Sequence, residues 1–258
     1  MRTLLLGVLL LVVGCRRPST QFAAMLTPPN QSDITDFSAY IKAGEELVAI
    51  GNDPGWSLAV NGSTRLLRFK ATTGDSLNVV VPEQQPGADG TFRFDLPAPS
   101  GRFKATFSPD NCVDKLSQQR FDYRVEVDYN GKHYVGCGVS LRIVSLLQDI
   151  WVLTDLQGQQ ITPSANGREV PRLEISLTDA RVTGTTGCNR LSGSVHADTH
   201  LIRFGPLVTT KMACVDNISA VESKFLNLLV QPVAYRVSDG KLTLFQQGKP
   251  VATFKKVD

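Results

Sequence analysis

Apolar and polar residues alternate with a period of two along much of this chain, most cleanly at Phe121-Asp122-Tyr123-Arg124-Val125-Glu126-Val127-Asp128-Tyr129. Successive side chains of an extended chain point to opposite faces, so this stretch predicts a strand with one packed and one wet face. Asn130-Gly131 follows it and predicts a tight turn into a partner strand over His133–Leu141. Trp56–Val60 and Arg65–Phe69 read as a second pair, with Asn61-Gly62 as a type I′ turn signal between them. Further short strands are predicted at Trp151–Leu156, Leu173–Leu177, Leu201–Phe204, Ala234–Val237, Lys241–Phe245 and Val251–Phe254, with Asp239-Gly240 as another hairpin turn. Gln84–Gly90, rich in Pro, Gly and Asp, reads as a loop.

Helical spacing is confined to two places. Thr35–Lys42 places Phe37, Tyr40 and Ile41 at helical intervals, with Gly44 as a stop. Ser219-Ala220-Val221-Glu222 has the form of a capping box, in which Ser and Glu satisfy each other's backbone donors. Val221, Phe225, Leu228 and Leu229 then form an apolar stripe that ends before Pro232, and the stripe is expected to pack on the sheet. The fold class that follows is mainly β: two small antiparallel β domains, at 45–147 and 148–258, the second α+β with one packed helix. The joint is expected at Gln148–Ile150.

Composition changes this picture little. Hydrophobic residues make up 42% and charged residues 20% of 258, which is globular. The formal charge of +3 is small and its Lys and Arg residues are scattered, so no nucleic-acid partner is expected. The first residues change it more. Met1-Arg2-Thr3 and the apolar run Leu4–Val13 suit a signal peptide over 1–14, being too short to span a bilayer. Val12-Val13-Gly14-Cys15 resembles the lipobox of bacterial lipoproteins. That resemblance implies a diacylglycerol on the Cys15 sulfur, cleavage before Cys15 and acylation of the new amine. The competing readings are an ordinary signal peptide with a stray cysteine and an N-terminal membrane anchor. Several acyl chains anchor stably, because each buried CH₂ contributes about 0.8 kcal/mol. Residues 15–44 are then the lipidated cysteine and a tether, with Pro18, Pro28 and Pro29 in its polar part. Arg16, where an Asp would retain a proteobacterial lipoprotein in the inner membrane, implies the outer membrane, facing the periplasm. In a host without one, the expected location is the cell membrane.

Four other cysteines remain, Cys112, Cys137, Cys188 and Cys214, and four allow three pairings. Their division into two separated pairs favours Cys112–Cys137 and Cys188–Cys214, each contributing about 3.5 kcal/mol by chain-entropy bookkeeping. A four-cysteine zinc site is the alternative, and no close Cys/His spacing supports it.

The C-terminal part resembles the META domain, the family of the heat-shock lipoprotein HslJ. The resemblance runs from about Asp149 to the end. It is carried by Trp151-Val152-Leu153, Val182-Thr183-Gly184-Thr185-Thr186-Gly187-Cys188-Asn189-Arg190, Gly193, Thr209-Thr210-Lys211-Met212-Ala213-Cys214, Glu222, Phe225 and Leu242-Thr243-Leu244. It implies a compact β domain with one helix, and association with envelope stress, motility, secretion or antibiotic tolerance without an established enzymatic activity. Some META domains look similar to lipid-binding secretin pilots. Residues 45–141 look like a second module of bacterial lipoproteins, often found beside META. Its carriers are Gly51-Asn52-Asp53-Pro54-Gly55-Trp56-Ser57-Leu58, Asn111-Cys112-Val113-Asp114 and Tyr134-Val135-Gly136-Cys137-Gly138. Gly55 stands where an aromatic is expected before the tryptophan, which puts a site built on an aromatic pair in doubt.

Catalytic motifs are missing: there is no G-x-S-x-G, H-E-x-x-H, P-loop or G-x-G-x-x-G, and no cofactor or metal is expected. His196, Asp198 and His200 would share one face of a continuous strand, as a metal site wants. The competing expectation is a hairpin tip at Ala197-Asp198-Thr199 that splays both imidazoles into water. Asn189 and Arg190 are candidate donors to an anionic ligand, against a reading in which Asn189 satisfies turn backbone. Trp56 is a candidate stacking surface, against a core anchor. The function expected is a non-catalytic binding or structural role of an envelope lipoprotein, held on the membrane through Cys15 and meeting an envelope protein or lipid. The alternatives are an acyl-chain-binding or pilot-like protein and an envelope hydrolase.

Overall fold

The computed structural model describes residues 36–257 apart from 83, 85, 86, 88, 163–168 and 215. The leader, Cys15 and the segment up to Thr35 lie outside the described residues. The first sheet holds eight strands: β1 (Glu45–Asn52), β2 (Gly55–Asn61), β3 (Leu66–Ala71), β4 (Ser76–Val80), β5 (Phe92–Ala98), β6 (Gly101–Val113), β7 (Arg120–Tyr129) and β8 (Lys132–Ser140). They lie in the order β4-β3-β2-β1-β8-β7-β6-β5. The sheet curls, because Phe69 of β3 packs 5.5 Å from Phe103 of β6, a strand five places away in that order. Leu58, Leu67, Phe107, Val125 and Tyr134 fill the space between.

The second sheet runs β10 (Gln159–Gln160), β9 (Ile150–Leu156), β11 (Arg172–Ser176), β12 (Arg181–Thr185), β13 (Arg190–Ala197), β14 (Leu201–Phe204), β16 (Val233–Ser238), β17 (Lys241–Gln246) and β18 (Lys249–Lys256). β15 (Val208–Thr209) pairs with β13. β9 also pairs with β18, which closes the sheet on itself and removes the open edge. Trp151, Leu153, Leu173, Phe225 and Phe254 pack its interior.

Helices are few. α1 (Ser38–Lys42) precedes β1, α2 (Arg142–Ser145) links the two sheets, and α3 (Asp216–Leu228) packs Phe225 6.2 Å from Phe254 of β18. Phe225, Leu228 and Leu229 are buried, as the apolar stripe predicts. The same cluster extends through Leu147, Val144, Leu141, Val139, Phe121 and Phe37, so one apolar core runs from the second sheet into the first. Trp151 pins the link by donating its indole N–H to the Leu147 carbonyl at 2.8 Å.

Two local expectations are corrected. α3 begins at Asp216, three residues before Ser219, so Ser219 and Glu222 lie within the helix and form no capping box. Asn61-Gly62 does not form a two-residue turn: Val60 pairs with Leu67, and the Asn61 carboxamide oxygen instead accepts the N–H groups of Ser63 and Thr64. That side chain stabilises a wider turn in competition with the tight one. Asn130-Gly131 and Asp239-Gly240 do adopt left-handed conformations between paired strands.

Candidate functional site

In the first sheet, the residues of the three sequence segments singled out there meet at one end. Trp56 is buried, with rings at 6.0 Å from Phe69 and 6.5 Å from Tyr134, and donates to the Val135 carbonyl at 3.2 Å. Two glycines make room for it. A Cβ on Gly51 would lie 2.0 Å from the indole nitrogen, and one on Gly136 2.0 Å from the Ile50 carbonyl oxygen. Cys112 and Cys137 form a disulfide beside it. Asn52 donates to Asp114, whose other oxygen accepts from Ser117 N–H at 2.8 Å and Ser117 Oγ at 2.6 Å. Trp56 is thus an anchor of the fold, and its ring faces are taken by neighbours.

A second polar knot ties the β3–β4 turn to the β7–β8 hairpin. The Asp75 carboxylate accepts from Asn130 at 2.9 Å, Lys132 at 2.8 Å, Thr73 at 3.1 Å and the Tyr134 hydroxyl. These donors, Asn130 first, hold its carboxyl well below the usual carboxylate range.

In the second sheet, Asn189 is buried and its carboxamide is fully committed. Its Nδ2 donates to Glu222 Oε1 and Oε2 at 2.9 and 3.2 Å, and its Oδ1 accepts Thr210 Oγ1 at 2.9 Å and Met212 N–H at 2.8 Å. Thr186 Oγ1 adds a 2.6 Å bond to Glu222 Oε1. Cys188 and Cys214 close a disulfide over the same knot. Arg190 is exposed, and its backbone N–H donates to Thr210 Oγ1 at 3.1 Å. Glu222 therefore joins helix to barrel, a role that the capping-box pattern concealed.

The histidines are corrected as well. A turn does separate His196 from His200, and the two do not converge on one metal. Neither is splayed into water, because the turn docks on the N-terminal segment and on β7. His196 Nδ1 lies 3.4 Å from Asp36, and His200 Nε2 lies 3.1 Å from Asp122. Among the described residues no group of three or more His, Cys, Asp or Glu could hold a metal ion.

A cleft of about 660 Å³ lies outside the barrel, between the β13–β14 hairpin and the C-terminal end of α3. Ser194, His196 and Arg203 form a polar wall, and Leu207, Leu226, Leu229 and Val230 an apolar one. His196 and Arg203 are direct cross-strand partners, so their side chains leave the same face of the hairpin. Gly205 keeps the wall open, since a Cβ there would lie 1.9 Å from Ser194 Oγ. Its volume lies within the range of small-molecule sites, and the cleft is open to solvent along one side.

Comparison with known proteins places residues 144–258 in a match to the family model for the META domain. A solution NMR structure of a Burkholderia xenovorans protein is 26% identical, covers 44% of this chain and 86% of its own, and superposes with a TM-score of 0.36. Another NMR structure is 20% identical, covers 42% of this chain and 89% of its own, and also gives 0.36. No curated protein matches the chain significantly.

Proposed function

We propose that this chain, whose residues 144–258 match the family model for the META domain, is an envelope lipoprotein that binds a partner rather than transforming a substrate. The observation that carries the reading is the pairing of a lipobox at Val12–Cys15 with two closed disulfides, a combination that suits an exported, oxidising location. Acylated Cys15 holds the body on the outer membrane, facing the periplasm. The binding role is supported by how the polar motif residues are spent. Asn189 bonds to Glu222, Asp75 accepts from Asn130 and Asp114 from Ser117, all within the fold, and His133 pairs with Asp128 at 2.7 Å. Crosslinking in intact cells followed by quantitative proteomics tests it: an enriched envelope neighbour is expected, and a body with no enriched neighbour contradicts it.

A second reading, an acyl-chain carrier, is favoured by the cleft between α3 and the β13–β14 hairpin. The barrel interior is filled by side chains, so any chain would lie in this outer cleft, with an anionic head toward Arg203 and His196. Titration of delipidated protein with fatty acids of increasing length tests it. Affinity should rise roughly fourfold per CH₂ while the apolar wall fills, from about 0.8 kcal/mol each. Val230→Glu, at a position 65% exposed, should abolish that binding without unfolding the protein. Length-independent binding, or none, removes this reading.

A further inference from the structure

We propose that the β13–β14 hairpin is a proton-operated clamp that docks the second sheet on the first, closed at mildly acidic pH and loosened as the pH rises. The clamp is built from the turn outward. Asp198 Oδ1 accepts the N–H groups of His200 at 2.8 Å and Leu201 at 2.7 Å, which fixes the turn, and its carbonyl accepts the Tyr235 hydroxyl at 2.7 Å. The fixed turn presents two side chains to one carboxylate on β7. Thr199 Oγ1 and His200 Nε2 both reach Asp122 Oδ1 at 3.1 Å. Four residues back, His196 lies 3.4 Å from Asp36 Oδ2, and Asp36 also accepts the Ser38 N–H at 2.9 Å. The intervening Phe37 packs 6.3 Å from Phe121, the neighbour of Asp122. The hairpin tip of one sheet is therefore held by the Asp122 carboxylate of the N-terminal body and lies beside a second carboxylate, Asp36, without a hydrogen bond from His196 Nδ1, around an apolar contact that needs no proton.

The charges around His200 set the direction. Asp122 on β7 holds the imidazolium and pushes its pKa up against the opposing effect of burial. Asp198 in the turn adds to this, while Arg120 on β7 opposes it. Tyr235 on β16 stays neutral, because burial and the nearby Asp198 and Asp122 push it well above its ordinary value. Asp198 itself is pushed up by burial, against the two N–H bonds it accepts. Arg203 and Asp36 are the charged groups beside His196. Burial raises Asp36, but the Ser38 bonds and His196 outweigh it, and the net shift is downward. A raised His200 contributes docking strength that is complete below the ordinary histidine pKa and lost as pH rises through its own. A lowered Asp36 contributes strength present above the ordinary carboxylate pKa and lost in acid. The clamp is thus tightest between the two. His196 is also part of the cleft wall, so loosening the hairpin moves one wall of that cleft.

The test uses the full mature protein. Histidine ring NMR gives the His200 titration, and amide hydrogen exchange at pH 5.5 and 8.5, corrected for intrinsic rates, reads the joint. The expected result is a His200 pKa above 6.5, with protection lost at pH 8.5 at Asp122, His200 and Leu201 but not at Trp56 or in the β17–β18 hairpin. Asp122→Asn should lower the His200 pKa, and His200→Gln should show the same joint protection at both pH values. Both sites are partly exposed, so the variants can be compared in folded protein, and each tests the clamp by its own readout. A wild-type His200 that titrates at or below 6.5, or joint protection equal at the two pH values, overturns the clamp.

Discussion

Replacing Asn189 by alanine tests the knot that joins α3 to the barrel. The substitution removes two charge-assisted bonds to Glu222, at 2.9 and 3.2 Å, and two acceptor contacts, from Thr210 and Met212. Thr210 and Met212 are exposed, so water replaces the lost acceptor there and each costs roughly 0.5 kcal/mol. Glu222 is half-buried and keeps only Thr186 among these donors, and hydrogen bonds to a charged group contribute about 1.5–3 kcal/mol. Counting the 2.9 and 3.2 Å contacts of Nδ2 with one carboxylate as a single shared bond, the sum is about 3 kcal/mol. One apolar core joins the sheets, so unfolding is expected to be a single transition and the melting temperature should fall by roughly 6–12 °C. Urea unfolding followed by tryptophan fluorescence measures the loss as a shift in midpoint. Arg190→Ala, next door but exposed, should stay within about 0.5 kcal/mol. Asn189→Asp would set a second carboxylate against Glu222, giving a destabilisation at pH 7 that shrinks as the pH is lowered. A loss below about 1 kcal/mol in Asn189→Ala would refute the structural reading and return Asn189 to the list of ligand-binding candidates.

Other outcomes follow from the same geometry. Gly136→Ala, whose Cβ would meet the Ile50 carbonyl at 2.0 Å and Trp56 Cζ2 at 2.8 Å, should cost about 3 kcal/mol or more, read from the urea midpoint. Asp75→Asn should lower the melting temperature at pH 7, because a carboxylate with a depressed pKa stabilises above its ordinary value. The gap to the wild type should narrow steadily once the pH falls below the ordinary carboxylate pKa toward the depressed one, which a melting series from pH 7 to pH 2 would follow. Cys188→Ser with Cys214→Ser should cost up to about 3.5 kcal/mol for the 26-residue separation they close, measured against the oxidised wild type. Phe225→Ala should cost about 3–5 kcal/mol in the same assay, since that side chain is fully buried against Phe254.

Much of the strand inventory was legible because burial on one face imposes a period of two, as β7 shows from Phe121 to Tyr129. What escaped the sequence has definite causes. β6 runs thirteen residues, but Pro109, Asp110 and Asn111 interrupt its pattern at a bulge between Pro109 and Cys112. β12 and β13 are masked by Gly184, Gly187 and Gly193 and by the polar Thr and Ser residues between them. Gln157-Gly158 and Gln247-Gly248 take the same left-handed turn conformations as Asn130-Gly131, with a first residue that carries no turn signal. The start of α3 was misplaced because Ser219 and Glu222 fit a local pattern while Glu222 answers to Thr186 and Asn189, more than thirty positions upstream. The His196 and His200 pairs depend on Asp36 and Asp122, two parts of the chain that only the tertiary fold brings to the hairpin.

Intact-mass analysis of the membrane-extracted protein, before and after reduction and alkylation, tests the central claim most directly. The account predicts a chain that starts at Cys15, carries acyl groups and gains four alkyl groups only after reduction, one for each cysteine of the two disulfides. An unacylated chain that alkylates without reduction would contradict it.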